Sequence, residues 1–196
     1  MNHHSETHNR KSLRLQGYDY SKVGLYFITI CVKDRECSLG KIENGEMILS
    51  AIGGTANQYW LDIPNHFTHV VIHNHIIMPN HVHGIIELSQ SNIEMRPVGT
   101  RHGVSLRNNA ENTVGTRHGV SQHGLSQFGK PIPGSVSTII NQYKSSVKRW
   151  CNKNNHTNFH WQSSFFDHII RSEDEYIRIS SYIVNNPIKW KGDEFY

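Results

Sequence analysis

Two apolar, β-branched runs, residues 69–77 and 81–88, stand on either side of Met78-Pro79-Asn80, and five histidines fall inside them, four of them closely paired. Short runs rich in Val and Ile predict two strands. The proline between them cannot donate to a β-ladder, so it marks a turn, a kink or a bulge. Apart from His69 these come as two His-x-His pairs, His73/His75 and His81/His83. Side chains two apart in a strand share a face, so either pair would set two imidazoles side by side. Neutral imidazoles so placed can share a divalent cation with a third ligand from elsewhere, or they can be hydrogen-bonded within the sheet. The spacing is identical in the two pairs and does not choose between them.

The remaining segments supply the frame. "GLYFITICVKD" is aromatic and β-branched and predicts a central strand. "SLGKIENGEMIL" places Asn44-Gly45 between two short apolar runs, the signature of a hairpin. "SAIGGTANQYWLDIPNHF" predicts a helix capped by Ser50 and ended before Pro64. Further on, Val136, Ile139, Ile140, Tyr143, Val147 and Trp150 recur at helical spacing after the N-cap candidate Ser135. Lys144, Lys148 and Arg149 are expected on or beside the opposite flank of that helix. "FFDHIIR" predicts another strand. "SEDEYIRISSYIVNNP" predicts a last helix, opened by Ser172 and Glu175 as a capping box and stopped at Asn186 by Pro187. The order of elements predicts an α+β fold, a central antiparallel β-sheet with helices packed on it.

A chain of 196 residues suits one domain. The expected division is a polar N-terminal segment at 1–20 and one domain over 21–191, interrupted by a loop at about 89–133. "VGTRHGVS" occurs in that loop at 98–105 and again at 114–121, too few copies for a solenoid. It reads either as a duplicated stretch that a surface loop tolerates or as a flexible basic arm carrying Arg96, Arg101, Arg107, Arg117 and Lys130. A net charge of +4 leans towards a polyanionic partner. The absence of a membrane-length apolar run and of a signal-like N-terminus makes a cytoplasmic location the expectation. Cys31, Cys37 and Cys151 are scattered without a C-x-x-C and fit reduced thiols.

On the last helix, at about 100° per residue, Tyr176, Ile179, Ser180, Ile183 and Val184 form an apolar stripe. Tyr182 and Asn186 are expected off its centre, one turn apart on the same flank. They read either as a phenol and an amide presented together or as an ordinary surface tyrosine and a C-terminal asparagine.

The segments "RKSLRLQGYDYSKVGLYFITICVKDR", "MPNHVHGII" and "WQSSFFDHIIRSEDEYIRISSYIVNNPIKW", in that order, resemble the REP-associated branch of the single-tyrosine HUH transposases. The resemblance spans about residues 10–191 apart from the repeat-bearing loop. It implies a ferredoxin-like, RRM-like HUH domain. It also implies that His81 and His83 are metal ligands, Asn186 a third ligand one helical turn after the tyrosine, and Tyr182 the nucleophile. His73 and His75 fall where members of the family carry unrelated residues. The implied activity is transesterification of single-stranded or hairpin DNA, assisted by Mg²⁺ or Mn²⁺, through a 5′-phosphotyrosine, in a monomer or a homodimer.

Lys144, Lys148, Arg149 and Arg171 are candidate phosphate contacts. Trp161 and Phe165 are either base-stacking or core residues. Asp167 and His168 resemble an acidic-His pair of the family. The competing reading is a domesticated hairpin-DNA-binding protein that cuts nothing. A zinc hydrolase is a third, without an H-E-x-x-H to support it.

Overall fold

The computed structural model describes residues 19–90 and 132–190. Residues 1–18 of the polar N-terminal segment, both VGTRHGVS copies, and Arg96, Arg101, Arg107, Arg117 and Lys130 lie outside the described residues.

Strand β1 (Gly24–Cys31) runs inside a four-stranded antiparallel sheet of order β4-β5-β1-β6. Its partners are β5 (His81–Leu88) on one side and β6 (Phe166–Ile170) on the other, and β4 (Val70–Ile77) is the edge beyond β5. The aromatic and β-branched composition of β1 follows from this position, because both of its faces are covered. Tyr26, Ile28 and Ile30 point into the main core. Leu25 and Phe27 point the other way, into a smaller apolar cluster. The hairpin of β2 (Gly40–Glu43) and β3 (Glu46–Leu49) turns at Asn44 and Gly45, both at positive φ as a primed two-residue turn requires.

The main core lies between the sheet and helices α1 (Ala51–Leu61) and α3 (Val136–Lys153). Ser50 caps α1 by accepting the Gly53 N–H, and Ser135 caps α3 by accepting that of Thr138. The helix expected from Ser50 to before Pro64 ends at Leu61 with Asp62 as its C-cap, and Ile63–His66 form a separate short helix, α2. Pro64 sits in the first turn of α2, where a missing N–H costs nothing. Phe165 is buried in the main core and Trp161 packs against it.

One expectation about α3 fails. Lys144 is buried, not on an open flank, and its Nζ donates to the carbonyls of Gln162 (2.6 Å), Ser163 (3.4 Å) and Ser164 (3.2 Å). The Lys148 Nζ donates to the carbonyls of Thr157 and Phe159 at 2.8 and 2.7 Å. Both ammonium groups thus pin the segment that leads into β6, satisfying carbonyls that lack a strand partner.

Helix α4 (Glu173–Asn185) covers the opposite face of the sheet, with Ile179 and Ile183 buried against Ile85 and Ile170. Ser172 accepts the Glu175 N–H as expected, but the Glu175 carboxylate reaches one residue further back, to the N–H of Arg171 and to His168. The buried stripe is narrower than its sequence pattern. Val184 is 58% exposed, whereas Asn186 is fully buried. Asn186 lies seven residues after Ile179, close to two full turns at 3.6 residues per turn, so it continues the stripe's centre. Among the described residues, no helix is long and apolar enough to cross a membrane.

The register between β4 and β5 shifts within the strand. Ile72 pairs with Ile86, but His75 pairs with Gly84, so three steps along β4 match two along β5. This bulge breaks the two-residue alternation and turns His73 and His75 to different sides of the sheet.

Candidate active site

His81 and His83 follow the Met78-Asn80 turn directly, and the turn is fixed by its backbone. The Met78 N–H donates to the His81 carbonyl (2.8 Å), Pro79 accepts from Leu39 (2.9 Å), and Asn80 accepts from Val32 (2.8 Å). No bulge intervenes between the two histidines, so both project from one face of β5, the face shared by Ile85 and α4. Their ring centroids are 4.3 Å apart and both side chains are buried. The sequence pattern left two pairs open; the structure brings only this one together.

Each ring is oriented by neighbours. Nδ1 of His81 meets the Asn80 Oδ1 at 2.7 Å, and Nδ1 of His83 meets the Thr29 Oγ1 at 2.8 Å from the adjacent β1. Burial, and secondarily the His81 ring beside it, hold the pKa of His83 well below the ordinary value of 6.5. Its imidazole is therefore neutral at physiological pH, the form that binds a metal without first losing a proton.

Helix α4 brings Tyr182 to this pair. Its hydroxyl lies 3.2 Å from Nε2 of His83, and Phe27 packs edge-on against its ring. The tyrosine is 39% exposed although its hydroxyl reaches the buried histidine. Asn186 stands one turn beyond Tyr182 and four residues before Trp190, whose ring lies 6.0 Å from that of His81. It is thus bracketed along the chain by a residue on His83 and a residue on His81. Its burial corrects the expectation that it lies off the centre of the stripe.

The donor chemistry suits a divalent cation. Two imidazoles, joined by an amide oxygen if Asn186 supplied one, would make a mixed nitrogen–oxygen set of the kind manganese accepts, and magnesium would complete its shell with water. Among the described residues, no three His, Cys, Asp or Glu side chains cluster as a metal site, so a closed thiolate or carboxylate centre is not present there.

The other pair has separate duties. His73 faces α4, with Nε2 on the Glu87 carboxylate (2.9 Å) and Nδ1 at the Tyr176 hydroxyl (3.1 Å). His75 faces the main core, stacks on Trp60 and donates from Nε2 to the Asn57 Oδ1 (2.9 Å). Of the candidate phosphate contacts, Arg149 and Arg171 are exposed, while Lys144 and Lys148 serve the carbonyls of the segment before β6. His168 is tied to Glu175 at 2.7 Å. Sequence reasoning missed Thr29, Asn80, Phe27 and Trp190. Asn80 alone carried a local signal, its place immediately before the histidine pair; the other three depend on strand pairing and on the path of the chain after α4.

A comparison with protein-family profiles gave no match. An uncharacterized protein of Haemophilus influenzae (strain ATCC 51907 / DSM 11121 / KW20 / Rd) is 38% identical over 189 residues, spanning 96% of this chain and 94% of that protein. Among solved structures, that of a REP-associated tyrosine transposase bound to a REP hairpin superposes with a TM-score of 0.54 at 17% identity, covering 88% of this chain and 72% of that one. The likeness establishes a shared fold, an antiparallel sheet carrying helices on both faces.

Proposed function

We propose that this chain, which belongs to one family with the Haemophilus influenzae protein and has the fold of a REP-associated tyrosine transposase, is a metal-dependent single-stranded DNA endonuclease and strand transferase. The observation that carries this reading is the contact between the Tyr182 hydroxyl and Nε2 of His83, within an adjacent, buried imidazole pair. A tyrosine on the surface has no need of such a neighbour, and a structural histidine has no need of a half-exposed phenol.

His81, His83 and Asn186 would hold Mg²⁺ or Mn²⁺, and the bound cation would polarise the scissile phosphate and offset charge on the leaving oxygen. Tyr182 is the nucleophile. Its hydroxyl gives up its proton as the oxygen bonds to phosphorus, the bond from phosphorus to the 3′-oxygen breaks, and that oxygen takes up a proton and leaves as a 3′-hydroxyl. A 5′-phosphotyrosine remains on Tyr182. A later 3′-hydroxyl reverses the step and joins strands without an external energy source, because the ester bond is conserved. Phe27 limits the swing of the Tyr182 ring, which keeps its oxygen near the histidine pair. Arg149 and Arg171 are the exposed cations proposed to meet DNA phosphates, and a hairpin is the proposed substrate form.

The test is to incubate labelled single-stranded hairpin DNA from the gene's own flanks with the protein and Mn²⁺ or Mg²⁺, then resolve the products under denaturing conditions. A covalent adduct that disappears with Tyr182→Phe supports the proposal. Tight binding without any adduct would identify a non-catalytic hairpin-binding protein instead.

A further inference from the structure

Asn80 is 2% exposed, yet it spends its side chain on the residue next to it. Its Oδ1 lies 2.7 Å from Nδ1 of His81, and its Nδ2 donates to the Arg35 carbonyl at 3.4 Å. The second bond sets which end of the amide faces the histidine, since a carbonyl can receive only the NH₂ end. An amide oxygen accepts and cannot donate. The nitrogen opposite it must therefore carry the proton, which leaves the lone pair of a neutral His81 on Nε2.

Thr29 stands in the same position relative to His83 but acts differently. Its hydroxyl can donate or accept, so the 2.8 Å contact with Nδ1 holds the ring without choosing its tautomer. One imidazole of the pair is dictated and the other is only steadied.

We infer that Asn80 is a positioning residue for the proposed metal site, fixing His81 as the Nδ1–H tautomer so that Nε2 is the nitrogen offered to the cation. The assignment rests on the metal reading given above. The turn suits this role. Backbone hydrogen bonds from Val32 to Asn80 and from Leu39 to Pro79 also hold it, so its position does not rest on the Asn80 amide alone. Partners that orient a ligating histidine in this way typically change metal affinity by about 10- to 100-fold when removed.

The experiment uses the full-length protein, wild type and the variants Asn80→Ala, Asn80→Asp and Thr29→Val. Long-range ¹H–¹⁵N correlation spectra of the metal-free proteins read the tautomer of His81, and calorimetric titration with Mn²⁺ alone reads affinity. Wild type should show a single Nδ1–H form. Asn80→Ala should show mixed tautomers and bind Mn²⁺ about 10- to 100-fold more weakly. Asn80→Asp restores an acceptor of the same shape and should recover the single tautomer and the affinity, which a role in turn structure alone would not produce. Thr29→Val should leave the His81 tautomer unchanged.

If wild type binds Mn²⁺ and Asn80→Ala matches it in both tautomer and affinity, the positioning role is overturned while the metal site stands. If Asn80→Asp behaves like Asn80→Ala, the acceptor argument fails. If wild type binds no Mn²⁺ but loses the Nδ1–H form in Asn80→Ala, the metal reading fails and the positioning role for that site falls with it.

Discussion

His73 and His75 are two residues apart in one strand, yet they face opposite sides of the sheet, one towards Tyr176 and the other onto Trp60. The bulge in β4 between Ile72 and His75 separates them, whereas the unbroken register of β5 keeps His81 and His83 together. Only the second pair can act as a pair. His81→Ala and His83→Ala should each abolish the covalent adduct on hairpin DNA, and His73→Ala and His75→Ala should retain most of it. Gel quantitation of the adduct decides, and the reverse pattern would move the site to β4.

Tyr176 and Tyr182 share α4 but are committed to different neighbours. The Tyr176 hydroxyl is held by His73, whereas that of Tyr182 lies on His83. Tyr182→Phe should keep the fold, Mn²⁺ binding and DNA binding but form no adduct. Tyr176→Phe should still cleave and lose about 0.5–1.5 kcal/mol of stability with its hydrogen bond. A nucleotide found on Tyr176 by mass spectrometry would overturn the assignment.

The residue after the histidine pair has no room for a side chain. A Cβ at Gly84 would collide with the indole of Trp60, which lies across β5 there. Gly84→Ala should destabilise the protein by about 1–3 kcal/mol through overpacking, read from the urea midpoint. An unchanged midpoint would mean that Trp60 can shift freely.

Burial lowers the pKa of His75, and burial together with His81 lowers that of His83 well below 6.5. As pH falls through 6.5, the unfolded chain takes up protons that the folded chain refuses. Stability should therefore be full above that value, decline below it, and level off only when the folded rings titrate. Denaturation at about pH 7.5 and about pH 5 measures the drop. His75→Gln should shrink the drop without removing it, since His83 remains; a drop of unaltered size would exclude His75 as a contributor.

Lys144 and Arg149 should separate in DNA binding. Lys144→Met leaves three backbone carbonyls without their ammonium donor and should cost about 1–3 kcal/mol of stability, with the salt dependence of DNA affinity preserved. Arg149→Ala should leave stability unchanged and lower the slope of log affinity against log salt by about 1. Fluorescence anisotropy across a salt series distinguishes them.

The parts of this fold visible in sequence are those governed by near neighbours. Ser50, Ser135 and Ser172 cap their helices, and Asn44-Gly45 turns its hairpin, because capping and turn geometry involve residues within a few positions. The histidine spacing was equally local, but it did not choose between the two pairs, and Tyr182 was singled out by the family resemblance and not by its spacing. What escaped were effects of tertiary pairing. A bulge depends on how β4 meets β5, and nothing between Ile72 and His75 announces it. The burial of Lys144 depends on a segment 18–20 residues later that needs donors. Asn186 looked like a helix-end residue of the surface because its polarity hid its place on the apolar stripe, and only the covering of that stripe by the sheet shows it buried.

The hydroxyl of Tyr182 and the imidazole of His83 meet within a single polypeptide, the first from α4 and the second from β5. Under the proposed chemistry this is assembly in cis. Two crippled molecules could not then repair each other, so a mixture of His81→Ala and Tyr182→Phe proteins should stay as inactive as either alone. Specific activity should also hold constant on dilution, because no encounter between chains is needed to complete the reactive group. On that chemistry, one molecule at a hairpin would suffice for the proposed cut.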